Sequence, residues 1–174
     1  MSTTRILLSQ SVIQTRVREL GRELSEHYAG KHPIFLGVMN GALFFLTDLL
    51  RAVDLDEVEP STIRVASYAG AQSTGVLHGL DGLGDSFRGR HVLILDDILE
   101  TGLTLSSLAK AIRKAGAADV KTCVLLEKPA ARVRPIHADW VGFHIADEFV
   151  VGYGLDYNGR YRNLRQVRVL ENVE

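Results

Sequence analysis

The fold is decided by residues 92–105, VLILDDILETGLTL. Their apolar start predicts a buried strand over residues 91–95, and Leu105 opens the spacing of an amphipathic helix. Between strand and helix lie two adjacent carboxylates, Asp96 and Asp97, and then a third, Glu100. In an open parallel sheet, ligands bind where strands end and helices begin, because free backbone amides converge there. The stretch therefore predicts a binding site at the carboxyl edge of a sheet.

The residues at the predicted helix start, Thr101-Gly102-Leu103-Thr104, suit a phosphate group. Glycine lets the backbone approach a ligand closely, and hydroxyls and free amides can donate to it. The two aspartates can bind a metal ion or accept hydrogen bonds from a sugar diol. Helix capping alone would require one polar residue, and this stretch has five candidates. Because the glycine-rich patterns for triphosphates and dinucleotides are absent, we expect a ribose phosphate.

Strands and helices alternate on both sides of this stretch. A helix is predicted after a capping box at Ser11 and ends at Gly30. The other predicted helices cover residues 42–51 and 104–115, and the other predicted strands cover 34–39, 62–68, 121–126, 140–143, 149–153 and 167–170. Residues 69–86 contain five glycines among small and polar residues and predict a long mobile loop. The alternation predicts a parallel sheet flanked by helices.

Composition limits the class of protein. A chain of 174 residues with 46% hydrophobic residues can close one substantial core, so we expect a single domain with a small attached lobe. The net charge of −1 gives no reason to expect binding to nucleic acid or to an anionic membrane. Cys123, in an apolar run, is expected to be a buried thiol. Neither a signal peptide nor a stretch of roughly 18 apolar residues is visible, which predicts a cytoplasmic protein.

Residues 92–105 resemble the phosphoribosyltransferases, in which an apolar strand is followed by two acidic residues, two apolar residues, an acid and Thr-Gly before a helix. Three further segments resemble the hypoxanthine-guanine branch: residues 67–75, 126–129 and 141–163 (VGFHIADEFVVGYGLDYNGRYRN). The resemblance implies the α/β type I phosphoribosyltransferase fold over residues 1–174. In that fold, helices flank a central parallel sheet, the N- and C-terminal segments form a small hood lobe, and a flexible loop lies at about residues 69–86.

The resemblance also implies a reaction. The 5-phosphoribosyl group of 5-phosphoribosyl 1-pyrophosphate (PRPP) is transferred, with Mg2+, to hypoxanthine or guanine, giving IMP or GMP and pyrophosphate; xanthine is a further candidate base. Asp96 and Asp97 would hold the ribose hydroxyls. Asp156 would bind Mg2+, with those two aspartates as further metal candidates, and Arg162 would contact pyrophosphate. Thr101, Gly102, Leu103 and Thr104 would surround the 5-phosphate. A homodimer or homotetramer is implied as well.

Other residues match the family's purine side. Lys128 would donate to the 6-oxo group, which favours hypoxanthine and guanine over adenine. Phe149 would stack on the purine, and Val150 would offer backbone groups to its edge. Ser67 and Tyr68 stand at the mouth of the long loop, which in the family closes over the site.

Two positions depart from the family pattern. Glu100 stands where an aspartate is usual, at the position thought to act on the purine ring nitrogen, so Glu100 is the catalytic candidate. Asn40-Gly41 stands where many relatives have Lys-Gly with a cis peptide beside the pyrophosphate. Asn40 has no charge, but its amide can donate to phosphate, so Asn40 and Gly41 are predicted to contact the substrate; pyrophosphate affinity would then be lower, or Arg162 and Mg2+ would compensate for the missing charge.

Two other classes of protein compete with the enzyme. One is a regulatory protein of the same fold that senses PRPP or a nucleotide and contacts nucleic acid, for which the arginines of residues 160–168 would supply a basic face. The other is a receiver domain that uses Asp96 and Asp97 as a metal pair. A receiver leaves residues 101–104 and the C-terminal motif unexplained. Turnover of PRPP with a purine separates the enzyme from both.

Overall fold

A computed structural model describes residues 3–65 and 85–171 of the chain. In chain order its elements are β1 (Thr3–Leu8), α1 (Gln10–Tyr28), β2 (Ile34–Met39), α2 (Leu43–Ala52), β3 (Glu59–Arg64), β4 (His91–Leu99), α3 (Leu103–Lys114), β5 (Asp119–Glu127), β6 (Trp140–His144), β7 (Val150–Val151) and β8 (Val167–Glu171). Single 3-10 turns occupy Asp85–Phe87 and Pro129–Ala131. Ser67, Tyr68 and nearly all of the loop expected at 69–86 lie outside the described residues.

A five-stranded parallel sheet with the order β3-β2-β4-β5-β6 confirms the expected α/β architecture. Side chains of β4 alternate between its two faces. Leu93 and Leu95 pack with the buried residues of α1 and α2, whereas Ile94 packs with those of α3. All three β4 side chains have no solvent exposure. The helices therefore cover both faces of the sheet and leave its carboxyl edge to the site.

A second, antiparallel sheet joins the two ends of the chain in the order β1-β8-β7. Strand β1 pairs with β8, with Thr3 opposite Glu171, and β7 pairs with the other side of β8, with Val150 opposite Val169. The sequence did not predict β1, because its residues TTRILL lack the alternation of a half-buried strand. Its inner residues nevertheless pack against the core that contains Val169.

Several element boundaries differ from the sequence prediction. Helix α1 begins at Gln10, and its N-cap is Ser9, whose hydroxyl accepts from the Val12 amide at 3.4 Å. The capping box predicted at Ser11 is wrong, because Ser11 already lies within the first turn. Strand β3 starts three residues before its prediction, at Glu59, where it pairs with Ile34 of β2. Its Pro60 is tolerated because β3 is an edge strand.

Strand β4 continues through Leu99, four residues beyond the end predicted for it. Its ladder with β5 runs from His91 opposite Asp119 to Leu99 opposite Glu127. Asp96 and Asp97 therefore lie within a strand rather than after it, and the sheet backbone fixes their positions. Among the helices that the structure describes, none is long and apolar enough to span a membrane.

Candidate active site

A cleft of about 330 Å3 lies at the carboxyl edge of the parallel sheet, beyond the ends of β2 and β4. Its lining includes ten of the residues singled out in the sequence: Asn40, Gly41, Asp96, Asp97, Glu100, Thr101, Gly102, Thr104, Asp156 and Arg162. Leu103 begins α3 and does not line it. Lys128, Phe149 and Val150 lie outside the cleft wall. The structure thus brings together the residues expected to bind PRPP, from four separate segments of the chain.

Asp96 and Asp97 form a closely coupled pair at the floor of the cleft. The Asp97 amide donates to Oδ1 of Asp96 at 3.0 Å, and the Ile98 amide donates to Oδ1 of Asp97 at 2.8 Å. Burial and the neighbouring carboxylate raise the pKa of Asp96 well above its ordinary value. Burial also raises the pKa of Asp97, while its hydrogen bonds and Arg162 act in the opposite direction. A pair in this state favours donors, such as sugar hydroxyls, that compensate for its charge.

Two glycines allow three segments of the cleft to approach one another. A Cβ atom on Gly41 would lie 1.9 Å from Oδ2 of Asp97, and one on Gly154 would lie 1.9 Å from the carbonyl oxygen of Gly41. Gly154 also has a φ of 105°, which L side chains rarely adopt. The peptide bond between Met39 and Asn40 is cis, as the family resemblance implies. Only glycine fits at positions 41 and 154 in this arrangement.

The loop between β4 and α3 ends in Gly102, whose backbone is left-handed. Gly102 is the N-cap of α3 with a φ of 81°, and the Leu103 amide contacts the Thr101 hydroxyl at 3.3 Å. From outside, the amides of Val133 and Arg134 donate to the Thr101 carbonyl at 3.0 and 2.9 Å. The loop is therefore held from behind, with the N-terminus of a three-turn helix beside it. Such a helix end favours an anion.

Asp156 and Arg162 face each other on the opposite wall. Nη2 of Arg162 lies 2.7 Å from Oδ1 of Asp156, and Nη1 donates to the Gly154 carbonyl at 2.6 Å. The Gly159 amide donates to the second carboxylate oxygen of Asp156 at 2.7 Å. One fixed carboxylate and one fixed guanidinium therefore line the same cleft as the loop between β4 and α3.

Lys128 lies between Glu100, which lines the cleft, and Asp147, which does not. Its ammonium group donates to Oε1 of Glu100 at 2.5 Å and lies 3.8 Å from Oδ1 of Asp147. The Lys128 side chain is only 5% exposed, whereas that of Glu100 is 45% exposed. The buried ammonium of Lys128 is therefore paired with the carboxylate of a half-exposed side chain. The sequence did not predict this ion pair, because Glu100 and Lys128 were each expected to contact the purine.

Phe149 and Val150 lie just beyond Asp147 in the chain. Phe149 is 43% exposed and packs edge-to-face against Tyr157, with 5.6 Å between ring centroids. Val150 is buried in β7. The Phe149 carbonyl accepts from the Leu170 amide of β8 at 2.8 Å, which fixes the backbone and leaves the ring accessible. An accessible ring on a fixed backbone is suited to stacking on a planar base.

The sequence did not predict three polar contacts, two made by Glu127 and one by Tyr153. Glu127, buried at the end of β5, lies 2.5 Å from Nη2 of Arg132 and 3.0 Å from Nδ1 of His144. The hydroxyl of Tyr153 donates to Oδ2 of Asp48 at 2.6 Å across 105 residues of chain. Glu127 directly follows an apolar strand, and a glutamate buried there needs a paired partner, so the sequence did contain a signal for its contacts. Nothing local in the sequence indicates the contact of Tyr153.

A parallel sheet with two adjacent aspartates near its carboxyl edge, next to the N-terminus of a helix, matches the arrangement expected for the phosphoribosyltransferase class. The family model of the phosphoribosyl transferase domain matches residues 4–158. The chain belongs to this family. The fold expected from the sequence is therefore confirmed, including its type I architecture.

Two individual relatives show which members of the family the chain is similar to. The bifunctional protein TilS/HprT of Listeria monocytogenes is 45% identical over 168 residues, which cover 96% of this chain and 26% of that protein. The chain thus spans about a quarter of that relative. The hypoxanthine-guanine phosphoribosyltransferase of Bacillus subtilis is 43% identical, with 96% of this chain and 93% of that protein covered.

The chain is also similar to a solved structure of a hypoxanthine phosphoribosyltransferase. The hypoxanthine phosphoribosyltransferase of Trypanosoma cruzi, in complex with the product IMP, superposes with a TM-score of 0.88 at 37% identity, covering 96% of this chain and 94% of that one. The resemblance to the hypoxanthine-guanine branch is confirmed.

Proposed function

We propose that this chain transfers the 5-phosphoribosyl group of PRPP to hypoxanthine or guanine, producing IMP or GMP and pyrophosphate, as an enzyme of purine salvage. The observation that carries the proposal is one cleft lined by Asp96, Asp97 and residues of the loop between β4 and α3, with the buried ammonium of Lys128 paired to Glu100 in that lining. Relatives named for hypoxanthine and guanine, and a relative bound to IMP, support the same base class.

Mg2+ fits the donor set of the cleft. Mg2+ usually takes one or two carboxylates and completes its shell with water and substrate phosphate oxygens. Within residues 3–65 and 85–171 no cluster of three potential metal ligands is found, so substrate oxygens are needed to complete such a site. Asp156 would hold the ion, with Asp96 and Asp97 as further candidates. When bound, the ion would neutralise charge on the diphosphate.

The protein's own residues divide the work on PRPP. Ribose hydroxyls that donate to Asp96 and Asp97 relieve the repulsion between two adjacent carboxylates. The amides and hydroxyls of residues 101–104 receive the 5-phosphate at the start of α3. A guanidinium has five N–H donors, more than the bonds from Arg162 to Gly154 and Asp156 use, so it can also donate to the leaving pyrophosphate.

Lys128 provides the choice of base. Its buried ammonium donates to an acceptor, which a 6-oxopurine has at that position, whereas adenine presents an amine. A site that aims a buried donor at an amine leaves both groups unpaired, which is costly. Phe149 and the backbone of Val150 complete the proposed purine site.

Glu100 is proposed as the group that exchanges a proton or hydrogen bond with the purine ring nitrogen. Its carboxylate lies at the junction of the cleft and Lys128, where the ribose carbon and the base would meet. The Glu100 side chain is one methylene longer than the usual aspartate, and its carboxylate contacts Lys128. Binding of a purine would give Lys128 a new acceptor and release Glu100 toward the ring.

Several expectations stay predictions. These are the closure of the long loop with Ser67 and Tyr68 at its mouth, the hood lobe formed by the N- and C-terminal segments, the homodimer or homotetramer, and the cytoplasmic location.

The test is turnover of PRPP with Mg2+ and each of hypoxanthine, guanine, xanthine and adenine, followed by the absorbance change as the nucleoside monophosphate forms. We expect turnover with hypoxanthine and guanine and little with adenine. Glu100→Gln should lower kcat with little effect on PRPP binding, and Lys128→Ala should reduce the preference for 6-oxopurines over adenine. Absence of turnover with every base, together with tight binding of nucleotide or RNA, would support the regulatory alternative instead.

A further inference from the structure

We infer that Tyr153 and Asp48 form a positioning pair that sets the pyrophosphate half of the site; the inference rests on the proposed function. Asp48 lies in α2, the helix that begins just after Asn40-Gly41. Tyr153 lies in the turn that leads to Asp156. The hydrogen bond between them, 2.6 Å long, joins the two segments that carry the proposed pyrophosphate contacts.

Tyr153 needs support from its surroundings to keep its backbone conformation. Gly152, Tyr153 and Gly154 have φ values of 95°, 50° and 105°, so three successive residues are left-handed. For a side chain as large as tyrosine this conformation is unfavourable and persists only when neighbouring contacts determine it. The Tyr153 amide donates to the Leu164 carbonyl at 2.8 Å, and its ring packs 6.2 Å from that of Phe44. The hydroxyl bond to Asp48 fixes the far end of the same side chain.

The next residue transmits this position to the cleft. Gly154 donates its amide to the Arg162 carbonyl at 3.0 Å and accepts from Nη1 of Arg162 at 2.6 Å. Its α-carbon also packs so closely on Gly41 that a Cβ atom would lie 1.9 Å from the Gly41 carbonyl oxygen. A shift of Tyr153 therefore moves Gly154 against both Gly41 and Arg162.

The purine side is held by different elements. Lys128 follows β5 of the parallel sheet, and Phe149 is fixed through its carbonyl to Leu170 of β8. Within the part of the chain that the structure describes, the hydrogen bonds, ion pairs and ring contacts of these two residues do not include Asp48 or α2. Loss of the positioning pair should therefore weaken binding of PRPP and leave the response to hypoxanthine nearly unchanged, a split that a general loss of stability would not produce.

The experiment measures binding of PRPP with Mg2+ by calorimetry and the KM for hypoxanthine by turnover. Tyr153→Phe removes only the hydroxyl and keeps the ring against Phe44. We expect roughly tenfold weaker PRPP binding, because a small displacement of positioning groups has a large effect, and less than about a twofold change in the KM for hypoxanthine. Asp48→Asn keeps an oxygen acceptor for the tyrosine and should bind PRPP nearly as the unsubstituted chain does, whereas Asp48→Ala should resemble Tyr153→Phe.

Tyr28→Phe is the matched control. The Tyr28 hydroxyl is also buried but has no hydrogen-bond partner among the described residues, so its removal should change neither constant. If Tyr153→Phe lowers Tm but binds PRPP as tightly as the unsubstituted chain, the pair is only structural and the inference is overturned. If the unsubstituted chain itself fails to bind PRPP with Mg2+, the proposed function falls, and the inference with it.

Discussion

Burial and the neighbouring carboxylate of Asp97 shift the pKa of the Asp96 side chain in the same direction. Both raise the pKa of Asp96 well above its ordinary value. A carboxyl group with a raised pKa in the folded state stabilises the fold only at acidic pH, and that contribution is lost as the pH rises through the raised pKa. At neutral pH the acid pair therefore opposes folding, and a ligand that donates to it would restore stability.

Asp96→Asn should therefore stabilise the protein while it weakens PRPP binding. The amide oxygen can still accept from the Asp97 backbone, and the buried charge is removed. We expect the free energy of unfolding at about pH 7.5 to rise by on the order of 1 kcal/mol, because a neutral amide replaces a buried carboxyl group whose charge is poorly compensated. Urea denaturation measures it.

The gain should fall as the pH is lowered and should disappear toward about pH 3, below the ordinary aspartate pKa of about 3.9, where the carboxyl group is mostly protonated in both states. Glu26→Gln, at an exposed position of α1, is the control and should show no such pH dependence. A gain of equal size at both pH values would show that packing, and not charge, is responsible.

At the scale of elements, the turn over residues 152–154 is the most demanding connection of the site. Gly154→Ala combines an unfavourable φ of 105° with a Cβ atom 1.9 Å from the Gly41 carbonyl oxygen. Gly159→Ala is matched to it, because Gly159 is also left-handed, with a φ of 76°, but has nothing within 4 Å of an added Cβ atom.

We expect Gly159→Ala to lower the free energy of unfolding by about 1 kcal/mol, the conformational effect alone. Gly154→Ala should lower it by more and should also impair PRPP binding, because Gly41 must move. Chemical denaturation and calorimetry provide the two measurements. Equal losses of stability for both variants, with PRPP binding intact, would show that the two segments separate without consequence.

Elements were predictable from the sequence where a local signal was strong. Helix α3 was predicted within one residue at each end, because glycines flank a clear apolar spacing. Strand β4 was predicted too short, because polar Asp96 and Asp97 suggested a strand end, whereas pairing with β5 carries the ladder to Leu99. Strand β1 was missed because its strand character depends on β8, which lies more than 150 residues away in the chain.

The same distinction holds for the site. Residues 96–104 are contiguous, so their chemistry could be read together. The contact between Gly41 and Asp97 and the bond from Tyr153 to Asp48 join distant segments and depend on tertiary packing. Glu100 and Lys128 were each predicted to contact a purine, but their mutual ion pair became visible only in three dimensions.

At the scale of the whole molecule, the two sheets support different parts of the site. The parallel sheet carries the acid pair, the loop between β4 and α3, and Lys128, whereas the antiparallel sheet holds Phe149 and Val150. Strand β8 is the centre of the antiparallel sheet and has β1 as one of its two partners. Leu7 and Leu8 of β1 pack against the core that contains Val150. The N-terminal strand therefore stabilises the proposed purine site from a distance.

Deletion of residues 2–8 should weaken purine binding more than PRPP binding. Without β1, β8 has only the two-residue β7 as a partner, and the backbone that holds Phe149 loses its support. We expect the KM for hypoxanthine to rise by roughly tenfold, in line with the large effect of small displacements, while the Kd for PRPP changes little. Ile6→Thr is the control: Ile6 is 52% exposed and threonine retains strand propensity, so both constants should stay the same. A deletion that weakens both ligands equally would show instead that the two sheets support the site as one unit.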